Sequence, residues 1–118
     1  DRYAPKTIRA TMGSLFAIPV AHIDDPAGVA QWLAVARETA PGLQAVATLP
    51  TADVPAHAHD FSGATAIVVG NERKGVSDEL RDICDAAVSI PMRGSAESLN
   101  AAVATWIVVY EACRQRFG

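Results

Sequence analysis

This chain has little of what commits a sequence to metal, disulfide or membrane chemistry. Of its 118 residues two are cysteine, 6% are aromatic and 19% are charged. Cys84 and Cys113 lack metal-ligand spacing and do not compel a disulfide, so a reducing cytoplasm is the expected compartment. No apolar run reaches the roughly 18 residues of a membrane span. The longest candidate, Ala101 to Cys113, is interrupted by Thr105 and Glu111 and reads as a core or interface helix. The first residues, Asp1-Arg2-Tyr3-Ala4-Pro5-Lys6, show no apolar signal region. With 10 basic and 13 acidic residues the net charge is −3, which argues against a broad phosphate-binding surface. Local basic groups remain at Arg2, Lys6 and Arg9, at Arg73 and Lys74, and at Arg114 and Arg116, the last pair suiting a helix C-terminus.

Familiar catalytic patterns are also missing. His57 and His59 have no third ligand spaced with them and read as surface histidines. No Ser-His-Asp order, Cys-His pairing or pair of glutamates on one helix face is legible. Gly70 to Gly75 is neither the Gly-x-Gly-x-x-Gly dinucleotide fingerprint nor a P-loop, because the third glycine and the Lys-Ser/Thr ending are absent.

What is present is apolar and ordered. Half of the residues are hydrophobic, and the length suits one soluble domain, residues 1–118, with a modest core. Pro5 to Met12 reads as a short helix and Val20 to Ile23 as a short strand. Asp24-Asp25-Pro26 signals a helix start, and Val29, Trp32, Leu33, Val35 and Ala36 recur at helical spacing until Pro41-Gly42. Leu43 to Thr48 alternates as a strand should, and Thr51 to Gly63 reads as a surface connection with at most one helical turn. Thr65 to Val69 has the β-branched character of a buried parallel strand. Ser77, Glu79 and Leu80 start a short helix, Ala87 to Ile90 forms a fourth strand, and Leu99 to Phe117 forms the final helix. Strands alternate with helices, so the expected fold class is α/β, a parallel sheet flanked by helices.

The final helix has almost no polar face over its first three turns. A helix apolar all round must be buried all round, which demands a partner subunit or an unusual threading through the chain.

Three loops are placed to share one crevice, since ligands of α/β sheets sit beyond the carboxyl ends of the strands. The first is Gly70-Asn71-Glu72 after Ile67-Val68-Val69, where Gly70 permits a sharp turn and close backbone approach. The second is Ile90-Pro91-Met92 and the third Ser98-Leu99-Asn100. Each has a plainer reading. The first is also an ordinary turn, Ser98 an ordinary N-cap, and Ile90, Met92 and Leu99 ordinary core groups. Asn100 is poorly explained by packing, since it opens an otherwise apolar helix, and its amide suits a ligand or a reacting hydroxyl.

The run Ala66 to Leu80, Cys84-Asp85, Ser89-Ile90-Pro91-Met92, Glu97-Ser98-Leu99-Asn100-Ala101-Ala102-Val103-Ala104 and the closing Tyr110-Glu111-Ala112-Cys113-Arg114-Gln115-Arg116 closely resemble the SpoU, or TrmH-like, RNA 2′-O-ribose methyltransferases of the SPOUT superfamily. Arg9 to Val20 is similar to that family's segment after its second strand. The resemblance implies S-adenosylmethionine (S-adenosyl-L-methionine) bound in a C-terminal trefoil knot, a homodimer packed on the final helix, and methyl transfer to a ribose 2′-hydroxyl of rRNA or tRNA without a metal. On it, Gly70, Ile90 and Leu99 contact the cofactor, with Thr48, Leu49, Asn71 and Met92 nearby. Glu72, Ser98 and Asn100 match functional polar positions, and Arg9 and Arg73 would meet RNA.

Two departures accompany the resemblance. The family's first motif, with its Asn and Arg, is absent, so the chain is expected to be the C-terminal two-thirds of a longer catalytic domain. Val-Ser of the family's SLNVSVA is Ala101-Ala102 here. The rivals are a catalytically silent module that binds S-adenosylmethionine or RNA, an inactive fragment of such an enzyme, and an α/β nucleotide-binding domain of another kind.

Overall fold

The computed structural model describes residues 21–70, 74–91 and 101–118. In chain order these form α1 (Pro26–Thr39), β1 (Gln44–Thr48), a 3-10 turn (Ala56–Ala58), β2 (Thr65–Val68), α2 (Asp78–Asp82), β3 (Ala86–Val88) and α3 (Ala101–Phe117). The strands make one parallel sheet in the order β2-β1-β3, with Val46 opposite Ile67 on one side and Ala86 on the other. The expected class, a parallel sheet flanked by helices, is the one observed.

Local chemistry sets the helix starts. Asp25 caps α1 by accepting from the Gly28 N–H at 2.8 Å, and Pro26 occupies the first turn, where a missing N–H costs nothing. Ser77 caps α2 by accepting from Leu80 N. The strand expected at Val20 to Ile23 does not form over Ala21 to Ile23, Val20 lying outside the described residues. Here His22 bonds Asp24, and Ile23 lies against α1, where a Cβ added to Gly28 would lie 2.6 Å from Ile23 Cγ2. The sheet therefore has three strands among the described residues, where four were expected.

β1 is central and lies between the other two strands, so its Ala45, Val46 and Ala47 are almost fully buried. Alternation puts Val46 on the face that packs with Ala56, Phe61, Val88 and Val108 of α3. Phe61 belongs to the long connection yet has 0% exposure, so this segment supplies core as well as surface. The connection also extends the sheet at one point: Pro55 bridges Ser89, with Ser89 N donating to Val54 O and Ala56 N to Ser89 O.

At the amino ends of the strands, Asp85 ties three elements together. Its Oδ2 accepts from Ala45 N at 2.7 Å and from Arg37 Nη2 of α1 at 2.9 Å, and its own N–H donates to Ala45 O.

Within this chain α3 is buried on one flank only. Val108 and Glu111 are buried, whereas Trp106 is 73% and Tyr110 70% exposed, with Val103, Ile107 and Phe117 also open. One flank packs on the sheet and the other leaves an apolar stripe uncovered. No described helix is long and apolar enough to cross a membrane.

Candidate site at the carboxyl ends of the strands

Because the three strands are parallel, their carboxyl ends lie along one edge of the sheet. Four of the residues expected at the site are brought together there. Thr48 closes β1, and its hydroxyl donates to Val68 O at the end of β2, 3.4 Å away. Leu49 follows, its N–H donating to Val88 O at the end of β3 at 2.9 Å. Gly70 lies just past β2. Ile90 lies just past β3 and packs against the core. All four are half-buried, the exposure expected of an edge that is formed yet accessible.

The glycine loop closes on itself. A Cβ added to Gly70 would collide with the backbone of Gly75 and Val76, and Gly75 has φ +67°, a conformation that favours glycine. The close approach that Gly70 permits is thus made by the chain's own backbone. Val76, buried beside it, anchors the end of the loop.

Asn71, Glu72, Arg73, Met92, Ser98, Leu99, Asn100 and Arg9 lie outside the described residues, as do the segments that would form a knot. The direction of α3 is nevertheless clear. Its last turns meet the loop that precedes β2: Phe61 N donates to Gln115 Oε1 at 2.7 Å, and Gln115 Nε2 donates to His59 O at 2.8 Å. Arg116 donates from Nε to Phe61 O at 3.2 Å and from Nη2 to Gly63 O. That loop is tied to the amino end of β1, where Gln44 Nε2 donates to Asp60 O and Gln44 Oε1 bonds the His59 ring. α3 therefore runs antiparallel to the strands, with its Ala101 end toward the carboxyl edge.

Charged groups cluster at the far end of α3. Glu111 accepts from Arg114 through both oxygens, at 2.9 and 2.7 Å, and from Gln115 Nε2 at 3.0 Å. The Arg114 bonds, followed by the Gln115 bond, hold the Glu111 carboxyl at about 2, well below its ordinary 4.5. Asp60 is also lowered, by its bonds to Ser62. Burial, then the Asp85 charge, pushes the Cys84 thiol up, and its Sγ lies 3.2 Å from Leu80 O. Such a thiol is a poor nucleophile. Cys84 and Cys113 are both free, and among the described residues no group of three His, Cys, Asp or Glu could hold a metal ion.

Sequence reasoning missed the polar clamp of Gln44, Gln115 and Arg116, because glutamines and a terminal arginine on amphipathic elements look solvated until their backbone partners are known. It also treated Arg114 and Arg116 alike, whereas Arg114 pairs with Glu111 and Arg116 reaches loop carbonyls.

Residues 1–110 match the SpoU rRNA methylase family. A 23S rRNA (uridine(2479)-2′-O)-methyltransferase from Streptomyces viridochromogenes is 41% identical over 116 residues, which is 98% of this chain and 40% of that protein. A tRNA (guanosine(18)-2′-O)-methyltransferase from Aquifex aeolicus is 50% identical over 76 residues, 64% of this chain and 36% of that protein. The crystal structure of the SpoU methyltransferase AviRb from Streptomyces viridochromogenes in complex with AdoMet superposes with a TM-score of 0.91 at 41% identity, covering 98% of this chain and 46% of that one. The chain spans less than half the length of these relatives. With the motifs, the parallel sheet and the carboxyl-edge geometry in agreement, the chain belongs to the SpoU rRNA methylase family.

Proposed function

We propose that this chain takes part in transfer of a methyl group from S-adenosylmethionine to a ribose 2′-hydroxyl of rRNA or tRNA in the cytoplasm. The observation that carries this reading is the convergence of Thr48, Leu49, Gly70 and Ile90 where three parallel strands end. These residues suit a molecule with a planar ring and a polar tail. Leu49 and Ile90 present half-buried apolar groups, and the backbone beyond Val68 lies past the β1–β2 ladder. The names of relatives at 41% and 50% identity support the reaction class, and a neighbour crystallised with AdoMet supports the donor.

When bound, the sulfonium supplies the methyl group: its S–CH3 bond breaks, an O–CH3 bond forms on the ribose, and the hydroxyl proton leaves to a base. The chain's share of that chemistry is alignment. Thr48, Leu49, Gly70, Asn71, Ile90, Met92 and Leu99 hold the donor, and Glu72, Ser98 and Asn100 supply the polar contacts beside the acceptor. Arg9 and Arg73 meet the RNA. The open stripe of α3, with Val103, Trp106, Ile107 and Tyr110, packs on a second copy of the chain, a homodimer through the C-terminal helix.

The test is transfer of tritiated methyl from S-adenosylmethionine to unmodified rRNA and tRNA by the full-length protein, with nucleoside analysis of the product. Label in a 2′-O-methylnucleoside is expected. Binding of S-adenosylmethionine without any transfer would leave a silent module, and label on a base would assign a different reaction. Asn100→Ala should abolish transfer with the fold intact.

A further inference from the structure

The strand order sorts the described helices onto two faces of the sheet. From β1 the chain moves to β2 on one side, and from β2 it crosses back over β1 to β3, so right-handed crossovers place the two connections on opposite faces. The first connection carries Ala56 and Phe61, which pack with Val46 and with Val108 of α3. The second contains α2, and α1 packs beside α2. α1 and α2 thus form the layer across the sheet from α3 and its apolar stripe.

That layer combines two features. The first is an apolar flank on α1. Trp32 and Val35 are 53% and 58% exposed, and with Gly28 they follow one line along the helix at spacings of four and three. Ile23, 40% exposed, lies against Gly28 and extends the line. From Gly28 to Val35 the flank runs about 10 Å. Arg37, the one cation of α1, stands about 140° around the helix from Trp32 and bonds Leu43 O and Asp85.

The second feature is charge. Asp24 to Thr39 and Lys74 to Asp85 together hold seven acidic and three basic residues, net −4, whereas the rest of the chain holds six acidic and seven basic, net +1. Asp25 stands at one end of the apolar flank and Glu38 at the other, both exposed. Charge selects the occupant. RNA phosphates, an anionic lipid surface and the same layer of a second copy all carry the sign that this layer repels. An apolar centre with carboxylates at its ends matches a helix that carries aliphatic side chains along one line and Lys or Arg beside them, and such a cation can also lie over the Trp32 ring.

We propose that the Trp32 flank of α1 is a docking surface for a cationic amphipathic segment of a partner protein, bound on the sheet face opposite α3. The surface is separate from the strand ends and holds whether or not the methyl-transfer reading does.

The test uses the full-length protein and a labelled amphipathic helical peptide of Lys and Leu, titrated by fluorescence anisotropy beside its Glu and Leu counterpart. The Lys peptide should bind and the Glu peptide should not. Trp32→Ser and Val35→Ser, both at exposed positions, should each weaken binding about tenfold, and either decides the matter if the other does not fold. Asp53→Lys removes an exposed carboxylate from the connection across the sheet and should change affinity less than about twofold. Equal affinity in wild type and Trp32→Ser, or an equal loss in Asp53→Lys, reduces the effect to net charge and overturns the surface. Hydroxyl-radical footprinting of the protein without peptide should find Trp32 readily oxidised. Protection at every concentration assigns the flank to another part of the same polypeptide, protection that grows with concentration assigns it to a second copy, and protection by added rRNA assigns it to RNA; each overturns the proposal.

Discussion

The backbone of Gly75 lies against Gly70 so closely that a methyl group on Gly70 would occupy the same space. Two glycines five apart are therefore needed for different reasons, one for lack of bulk and one for its φ of +67°. Gly75→Ala should cost roughly 1–2 kcal/mol, the penalty of a left-handed conformation with a Cβ. Gly70→Ala should cost about 1–3 kcal/mol and also displace the loop, because backbone cannot yield as a side-chain tip can. Urea denaturation with S-adenosylmethionine calorimetry checks both. Gly70→Ala with native stability and affinity would show that the loop does not close here.

Asp85 joins β3 to β1 through a buried donor. Asp85→Ala leaves Ala45 N, on a residue of 0% exposure, without its acceptor and should cost about 1–3 kcal/mol. Asp85→Asn keeps an oxygen for Ala45 N and loses only the half-exposed pair with Arg37, so it should cost at most about 1 kcal/mol. Equal losses in the two variants would mean that the ion pair, and not the backbone bond, is what matters.

Glu111 makes stability depend on acid. Its carboxyl is at about 2 in the folded chain against an ordinary 4.5, so the folded state binds the proton less readily than the unfolded state. The stabilisation is fully present above about 4.5 and is lost as pH falls through about 2. Wild type should exceed Glu111→Gln in melting temperature at neutral pH, and the gap should close across that acid window. A gap that stays constant with pH would remove the Arg114 and Gln115 bonds as its cause.

Trp106 and Tyr110 stand one helical turn apart on the open flank of α3, at 73% and 70% exposure. Burying such a stripe is the expected basis of the proposed dimer. Trp106→Glu should halve the mass seen by sedimentation and leave the helical circular dichroism unchanged. A monomeric wild type would remove the dimer, and a dimer indifferent to the substitution would place its interface elsewhere.

Elements specified by contacts a few residues apart were legible in advance. Asp25 and Ser77 cap as expected because a cap reaches only three residues along the chain. Thr65 to Val68 and Gln44 to Thr48 follow from β-branched and alternating character. Over Ala21 to Ile23 the expectation of a strand misled because β propensity alone does not make one, and here His22 and Ile23 turn back onto their own neighbours. The glycine loop was recognised, but that Gly70 accommodates the chain itself became visible only with Val76 in place.

By itself the sequence determined the α/β class, the caps, the motifs that mark the family and the strand-end residues Thr48, Leu49, Gly70 and Ile90. Only the tertiary structure decided which loop the end of α3 would grip, because Gln115 and Phe61 are 54 residues apart and a glutamine's partners are backbone groups that every residue carries. It also decided which flank of the apolar helix would stay open. A uniform apolar sequence has no preferred face, and the packing of Val108 into the sheet supplies one.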